Sequence, residues 1–156
     1  MNSDAAQQEF RKKIIDCFRT ELAEHLRTLN DGLDAIEMGR VKGEERAATL
    51  HRVYRAAHTM KGAARTVGVT IVEQMARSLE SIFYAIDTNT LQPSREIFQA
   101  CRQVFEAIRV VQITYENNEI VPPHQAVQAL MELEEIWNPE IALKGINHDI
   151  SQRKNT

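Results

Sequence analysis

The stretch Leu50-His51-Arg52-Val53-Tyr54-Arg55-Ala56-Ala57-His58-Thr59-Met60-Lys61-Gly62-Ala63-Ala64-Arg65-Thr66-Val67-Gly68 carries two patterns at once. Leu50, Val53, Ala57, Met60, Ala64 and Val67 recur at spacings of three and four, which predicts one apolar stripe along a helix. Gly68 stands where a glycine commonly ends such a helix. At about 100° per residue, His51, Arg55, His58, Gly62 and Arg65 fall on a second stripe that looks away from the apolar one, with Tyr54 and Lys61 on its flank. A helix apolar on one side needs neighbours to cover it.

The flanking sequence supplies them. Upstream, Phe10, Ile14, Phe18, Leu22, Leu26, Leu29, Leu33 and Ile36 form a long apolar stripe ended by Gly39 and Gly43, with a kink conceivable at Gly32. Downstream, Thr70 is placed to cap a third helix with Val72, Met75, Leu79, Ile82 and Ile86 on one face, broken by Asp87 to Pro93. A fourth carries Ile97, Cys101, Val104, Ile108 and Val111 and is expected to end near Asn117 and Asn118, before Pro122 and Pro123. A short fifth runs from about His124 to Trp137, with Ala126, Leu130, Leu133 and Trp137 inward, until Asn138-Pro139. The expected fold is all-α: an up-down antiparallel four-helix bundle with a short fifth helix over residues 1–138, followed by a linker-like tail over 139–156.

Composition agrees with one such domain. The chain has 156 residues, 43% apolar and 26% charged, with only six glycines and four prolines. At this length roughly 70% of the unfolded surface is buried on folding, enough for a core without metal or disulfide staples. Nineteen Lys and Arg against 22 Asp and Glu leave a formal charge of −3, which argues against a nucleic-acid partner. No apolar run approaches the ~18 residues of a membrane span and the N-terminus has no signal-peptide pattern, so neither membrane insertion nor secretion is expected. Cys17 and Cys101, far apart and without a partner motif, read as reduced, buried thiols of a cytoplasmic protein.

The polar stripe carries the chemistry. His58 sits mid-helix among cations, neither at a helix end nor on the apolar face. Imidazole titrates near neutrality, so a neutral ring nitrogen can attack a phosphoryl group and later surrender it. Lys61, one turn onward, is within reach of phosphoryl oxygens, and Arg55 and Arg65 widen the positive surface that an acidic partner would meet. Gly62, at i+4, leaves the imidazole uncrowded at a helix-propensity cost of about 1 kcal/mol. On the third helix Glu73, Arg77, Glu80 and Tyr84 face outward. Glu80, beside inward Leu79, can accept one ring N–H of His58 and leave the other nitrogen free.

The string from Arg55 to Gly68 closely resembles the phosphohistidine motif of histidine-phosphotransfer (HPt) domains, in particular the N-terminal domain of CheA-type chemotaxis kinases. Phe18, Glu21, Glu24 and Leu26 follow that family's aromatic-acidic pattern, and Leu79-Glu80 takes the place of its hydrophobe and glutamate. The resemblance spans about Phe10 to Trp137. It implies that His58 accepts phosphate from ATP held on a separate kinase domain, in cis or in trans, and passes it to an aspartate of a response-regulator receiver. Lys61, Glu80 and Arg77 would form the phosphate and imidazole network, although many CheA-type domains carry a histidine where this chain has Arg77. The receiver would dock on Arg55, Thr59, Arg65 and Glu21. Chemotaxis or a related motility pathway is the implied setting, and the chain would be one piece of a larger kinase.

Plainer readings stand beside these. His51 lacks the following Lys-Gly and reads as solvated surface; His25, His124 and His148 lack metal-ligand spacing, so no metal is expected. Arg77 and Glu80 alone would make an ordinary i, i+3 surface pair, and Met60 and Met75 are core fillers. There is no G-x-x-x-x-G-K-[ST] or G-x-G-x-x-G motif, so no cofactor site and no autonomous kinase is expected. Two other functions fit the same residues less well: a helical adaptor in which His58 is incidental, and a hydrolase using His58 as general base. The latter lacks a Ser or Cys nucleophile beside it.

Overall fold

The computed structural model describes residues 2–114 and 124–137, which form five helices. They are α1 (Asn2–Glu37), α2 (Gly43–Val67), α3 (Thr70–Asp87), α4 (Arg95–Thr114) and α5 (His124–Ile136). The protein is an all-α helical bundle. Neighbours in sequence pack side by side from α1 to α4, α4 closes back on α1, and α5 lies against α4 and α3. The expected end of α4 near Asn117 and the tail at 139–156 lie outside the described residues.

The stripes read from sequence meet in one core. Val53, Ala57, Met60 and Ala64 of α2 are wholly buried with Leu29 of α1, Val72, Met75, Leu79 and Ile82 of α3, Val104 and Ile108 of α4 and Leu133 of α5. Trp137 is partly buried against this cluster, and its indole N–H donates to Ser81 Oγ at 2.9 Å, tying the end of α5 to α3. Arg102 on α4 bridges to α1, donating to Asp34 Oδ1 at 2.7 Å and pairing with Glu37.

The tightest connection joins α2 to α3 through Gly68 and Val69 alone. Gly68 takes φ +80°, a left-handed conformation that a side chain would strain. Its N–H donates to the Arg65 carbonyl and that of Val69 to the Ala64 carbonyl, a doubly bonded C-terminal cap. The buried Val69 side chain anchors the turn in the core. Thr70 is therefore not the cap expected from sequence: it is already the first helical residue, and Val69 precedes it without any side-chain cap bond.

Three expectations on α1 change. The helix runs unbroken through Gly32, which is buried; a Cβ there would come within 2.3 Å of Val53 Cγ2. Gly32 is thus a point of close approach between helices and not a kink. Phe10 and Ile14 are 66% and 39% exposed. The register explains why: Gly32 lies against Val53, and Lys13, Ile14, Cys17, Phe18 and Glu21 line an open cleft with Ala63, Thr66 and Val67, so α1 reaches the end of α2 at about Lys13 and Phe10 lies beyond it. Cys17 lines the same open cleft and is exposed, not buried as expected. Cys101 is buried, and burial pushes its thiol up to about 12, so it stays a protonated core residue.

Gly32→Ala is expected to destabilise the fold by about 1–2 kcal/mol, because overpacking of this order outweighs the ~1 kcal/mol that alanine contributes in helix propensity. Combined with Val53→Ala, it should lose less than the two single changes summed. Urea denaturation of the three variants measures both effects, and a Gly32→Ala protein as stable as wild type would remove the close-approach account.

Candidate functional site

The second stripe of α2 reaches solvent as its angles require: His51, Arg55, His58, Gly62 and Arg65 are exposed, and Tyr54 and Lys61 on its flank are half-buried. That flank faces α3. The side chain of His58 is 60% exposed and that of Glu80, on α3, only 15%, so the pair runs from solvent into the groove between the helices.

Glu80 gathers three donors from α2. His58 Nδ1 lies 2.9 Å from Glu80 Oε1, Lys61 Nζ lies 2.7 Å from Oε2, and the Tyr54 hydroxyl donates to Oε1 at 3.4 Å. Burial works to raise the Glu80 carboxyl, but the hydrogen bonds and charges of Lys61 and His58 outweigh it and hold it below the ordinary carboxylate value. An ionised carboxylate beside Nδ1 favours the tautomer with its proton there. Nε2 then has a free lone pair.

A Cβ added to Gly62 would meet nothing within 4 Å, so the turn after His58 is open above the imidazole. Arg55, Thr59 and Arg65 are exposed along α2. Glu21 is exposed on α1, where it borders a cleft of about 410 Å³ with Ile14, Cys17, Phe18, Ala63 and Val67. That cleft lies towards the C-terminal end of α2, on its α1 side, whereas His58 leans to α3.

Arg77 is not part of the cluster. Its guanidinium donates to Glu73 Oε1 at 3.3 Å, one turn along α3, and it pairs with neither His58 nor Glu80. The plainer alternative, an Arg77–Glu80 surface pair, is not formed either, since Arg77 pairs with Glu73. Sequence reasoning missed Tyr54 as a member; its place at i−4 from His58 was the available signal. Among the described residues no three His, Cys, Asp or Glu side chains gather as a metal site, and no helix is long and apolar enough to cross a membrane.

The family model described as Hpt domain matches residues 13–110. Chemotaxis protein CheA of Listeria monocytogenes is 31% identical over 78 residues, 50% of this chain and 12% of that protein. Chemotaxis protein CheA of Bacillus subtilis is 33% identical over 80 residues, 51% of this chain and 11% of that protein. Either alignment takes in little more than a tenth of the relative's length. No solved structure gives a significant match.

The ion pairs of Glu80 have a pH signature. Its folded value lies below the ordinary 4.5, so the carboxylate stabilises the fold above that value and the contribution is lost as pH falls through the folded value. Glu80→Gln is therefore expected to be less stable than wild type near pH 7, with the difference closing as pH falls below the ordinary carboxylate value of 4.5. Denaturation curves on both sides of that value measure it; a difference that persists undiminished in acid would show that the charge is not what Glu80 contributes.

Proposed function

The chain belongs to the Hpt domain family, the phosphotransfer modules of two-component signalling, and from that premise we propose that His58 is its phosphoacceptor. The observation that supports this most directly is the division of labour in the ring: Nδ1 is engaged by a half-buried carboxylate in a side chain that is itself 60% exposed, which leaves Nε2 for an incoming phosphoryl group.

The steps balance without moving a proton. In the first, the Nε2 lone pair attacks the γ-phosphorus of ATP, the bond from that phosphorus to the bridging oxygen breaks, and ADP leaves with the electron pair. The imidazole becomes cationic, and Glu80, still holding Nδ1–H, offsets that charge. Lys61 lies beside the same carboxylate, one turn from His58, where its ammonium can turn towards the new phosphoryl oxygens. In the second step a receiver aspartate oxygen attacks phosphorus, the N–P bond breaks, and Nε2 recovers its lone pair. ATP is bound by a kinase domain in cis or in trans, and this module carries no cofactor of its own.

The proposal extends to the setting. Similarity to the two CheA proteins supports a chemotaxis or related motility pathway in the cytoplasm, with this module serving as the phosphoacceptor part of a larger CheA-type kinase. The receiver docks on the exposed side of α2 around Arg55, Thr59 and Arg65, with Glu21 at the margin. Arg77 is taken up by Glu73 and lies outside the imidazole network in this state.

Phosphoramidate, which needs no kinase, should add one acid-labile phosphoryl group to the wild-type protein, mapped by peptide mass to His58, and none to a folded His58→Gln. The phosphorylated protein should then lose the group rapidly to a receiver domain. If neither phosphoramidate nor a CheA-type kinase core with ATP labels His58, the helical-adaptor reading is the better account.

A further inference from the structure

We propose that Tyr54 is a positioning residue that acts on His58 through Glu80. Its hydroxyl shares the carboxylate oxygen that holds the imidazole, and so sets how strongly that oxygen draws on Nδ1–H. The kinetic consequence rests on His58 being the phosphoacceptor; the geometry does not.

Glu80 Oε1 receives two donors, His58 Nδ1 at 2.9 Å and the Tyr54 hydroxyl at 3.4 Å, while Oε2 belongs to Lys61. A tyrosine on an open helix face would turn its hydroxyl to water. Tyr54 is instead half-buried against the core and bracketed along α2 by two rings, His51 and His58, each 6.3 Å away and inclined by 21°. Across the groove Tyr84 of α3 stands 6.2 Å from it. These three rings restrict the phenol plane and aim the oxygen at Glu80. Burial, the charge of Glu80 and the hydrogen bond to it all raise the phenol above its usual range, so Tyr54 remains a donor throughout the neutral range.

The groups around this carboxylate and its phenol come from both helices. From α2 they are His58, Lys61 and Tyr54; from α3, Tyr84 acts on the phenol, and Arg77, one turn along, is engaged by Glu73. A carboxylate oxygen with two donors is less basic than one with a single donor. Tyr54 therefore moderates the electron density that Glu80 lends to the imidazole. Nε2 becomes a slightly weaker nucleophile, and the phosphorylated ring becomes a better leaving group. In a carrier that must both take and give a phosphoryl group, one hydroxyl adjusts the balance between the two.

Tyr54→Phe keeps the ring and removes only the oxygen. Nitrogen-15 NMR of the ring is expected to show a larger share of neutral His58 in the Nδ1–H tautomer. Uptake from phosphoramidate should rise about twofold, and spontaneous hydrolysis of the phosphohistidine should slow about twofold. In a Glu80→Gln background the same change should alter none of these, because the carboxylate that transmits the effect is gone. Unchanged tautomer and rates, uptake and hydrolysis slowed together, or an effect that survives in Glu80→Gln would each overturn the proposal. A wild-type protein that takes no phosphate at His58 would sink the phosphoacceptor reading alone; the tautomer comparison would still decide the role of Tyr54.

Discussion

The antiparallel register of α2 against α3 is the constraint on which the site depends. Both helices leave a two-residue turn whose φ, hydrogen bonds and buried Val69 admit little variation. Residues equally far from that turn therefore meet across the groove. His58 and Glu80 each stand eleven positions from Val69, and Tyr54 and Tyr84 each stand fifteen. Wholly buried Met60 and Ala64 on one side, and Met75 and Leu79 on the other, keep the two helices from sliding. The distance from His58 to its carboxylate is thus set by packing on the core side and by a glycine at the end, neither of which belongs to the site.

Within that frame, burial gives the histidine a direction. Glu80 is largely withdrawn from water, and an ionised group so placed must be paired. Lys61 neutralises one oxygen and His58 occupies the other, with Tyr54 as a second donor. A free imidazole in water exchanges its proton between both nitrogens. Here one nitrogen is held against a carboxylate that has little solvent with which to trade it, and the other is left to whatever approaches from outside. Exchanging the two positions would bury the imidazole and expose the carboxylate, so the gradient in exposure from His58 to Glu80 matters as much as the 2.9 Å between them.

Much of this was legible in the chain because helical periodicity encodes which side of each segment faces the core. Val53, Ala57, Met60 and Ala64, with Val72, Met75, Leu79 and Ile82, were read as inward and are buried. His58 and Glu80 followed from their angles relative to those stripes. What periodicity does not encode is where a neighbouring helix ends. Phe10 and Ile14 continue the α1 stripe without interruption, yet α2 stops short of Phe10, and beside its end Ile14 and Cys17 line an open cleft and stay exposed. Nor does it encode choice among partners: Arg77 has carboxylates three residues ahead and four behind, and its guanidinium takes Glu73 because Glu80 is already held by three donors from α2. The partner of Tyr54, a residue placed only on the flank of the polar stripe, is hidden for a related reason, since its hydroxyl acts across helices while sequence spacing speaks only for its own.

The two glycines inside helices complete the contrast between packing and access. Each gives up about 1 kcal/mol of helix propensity relative to alanine. At Gly32 the structure supplies the reason within the protein itself, since Val53 occupies the place where a Cβ would lie. At Gly62 it supplies none: a Cβ would project into open space, and no turn or positive φ calls for glycine there. Nothing in the fold needs that residue to be small. Four residues after His58, on the same exposed stripe, the bare backbone leaves the surface of α2 open, and with His58 as acceptor the demand for it comes from the domain that delivers or removes the phosphoryl group.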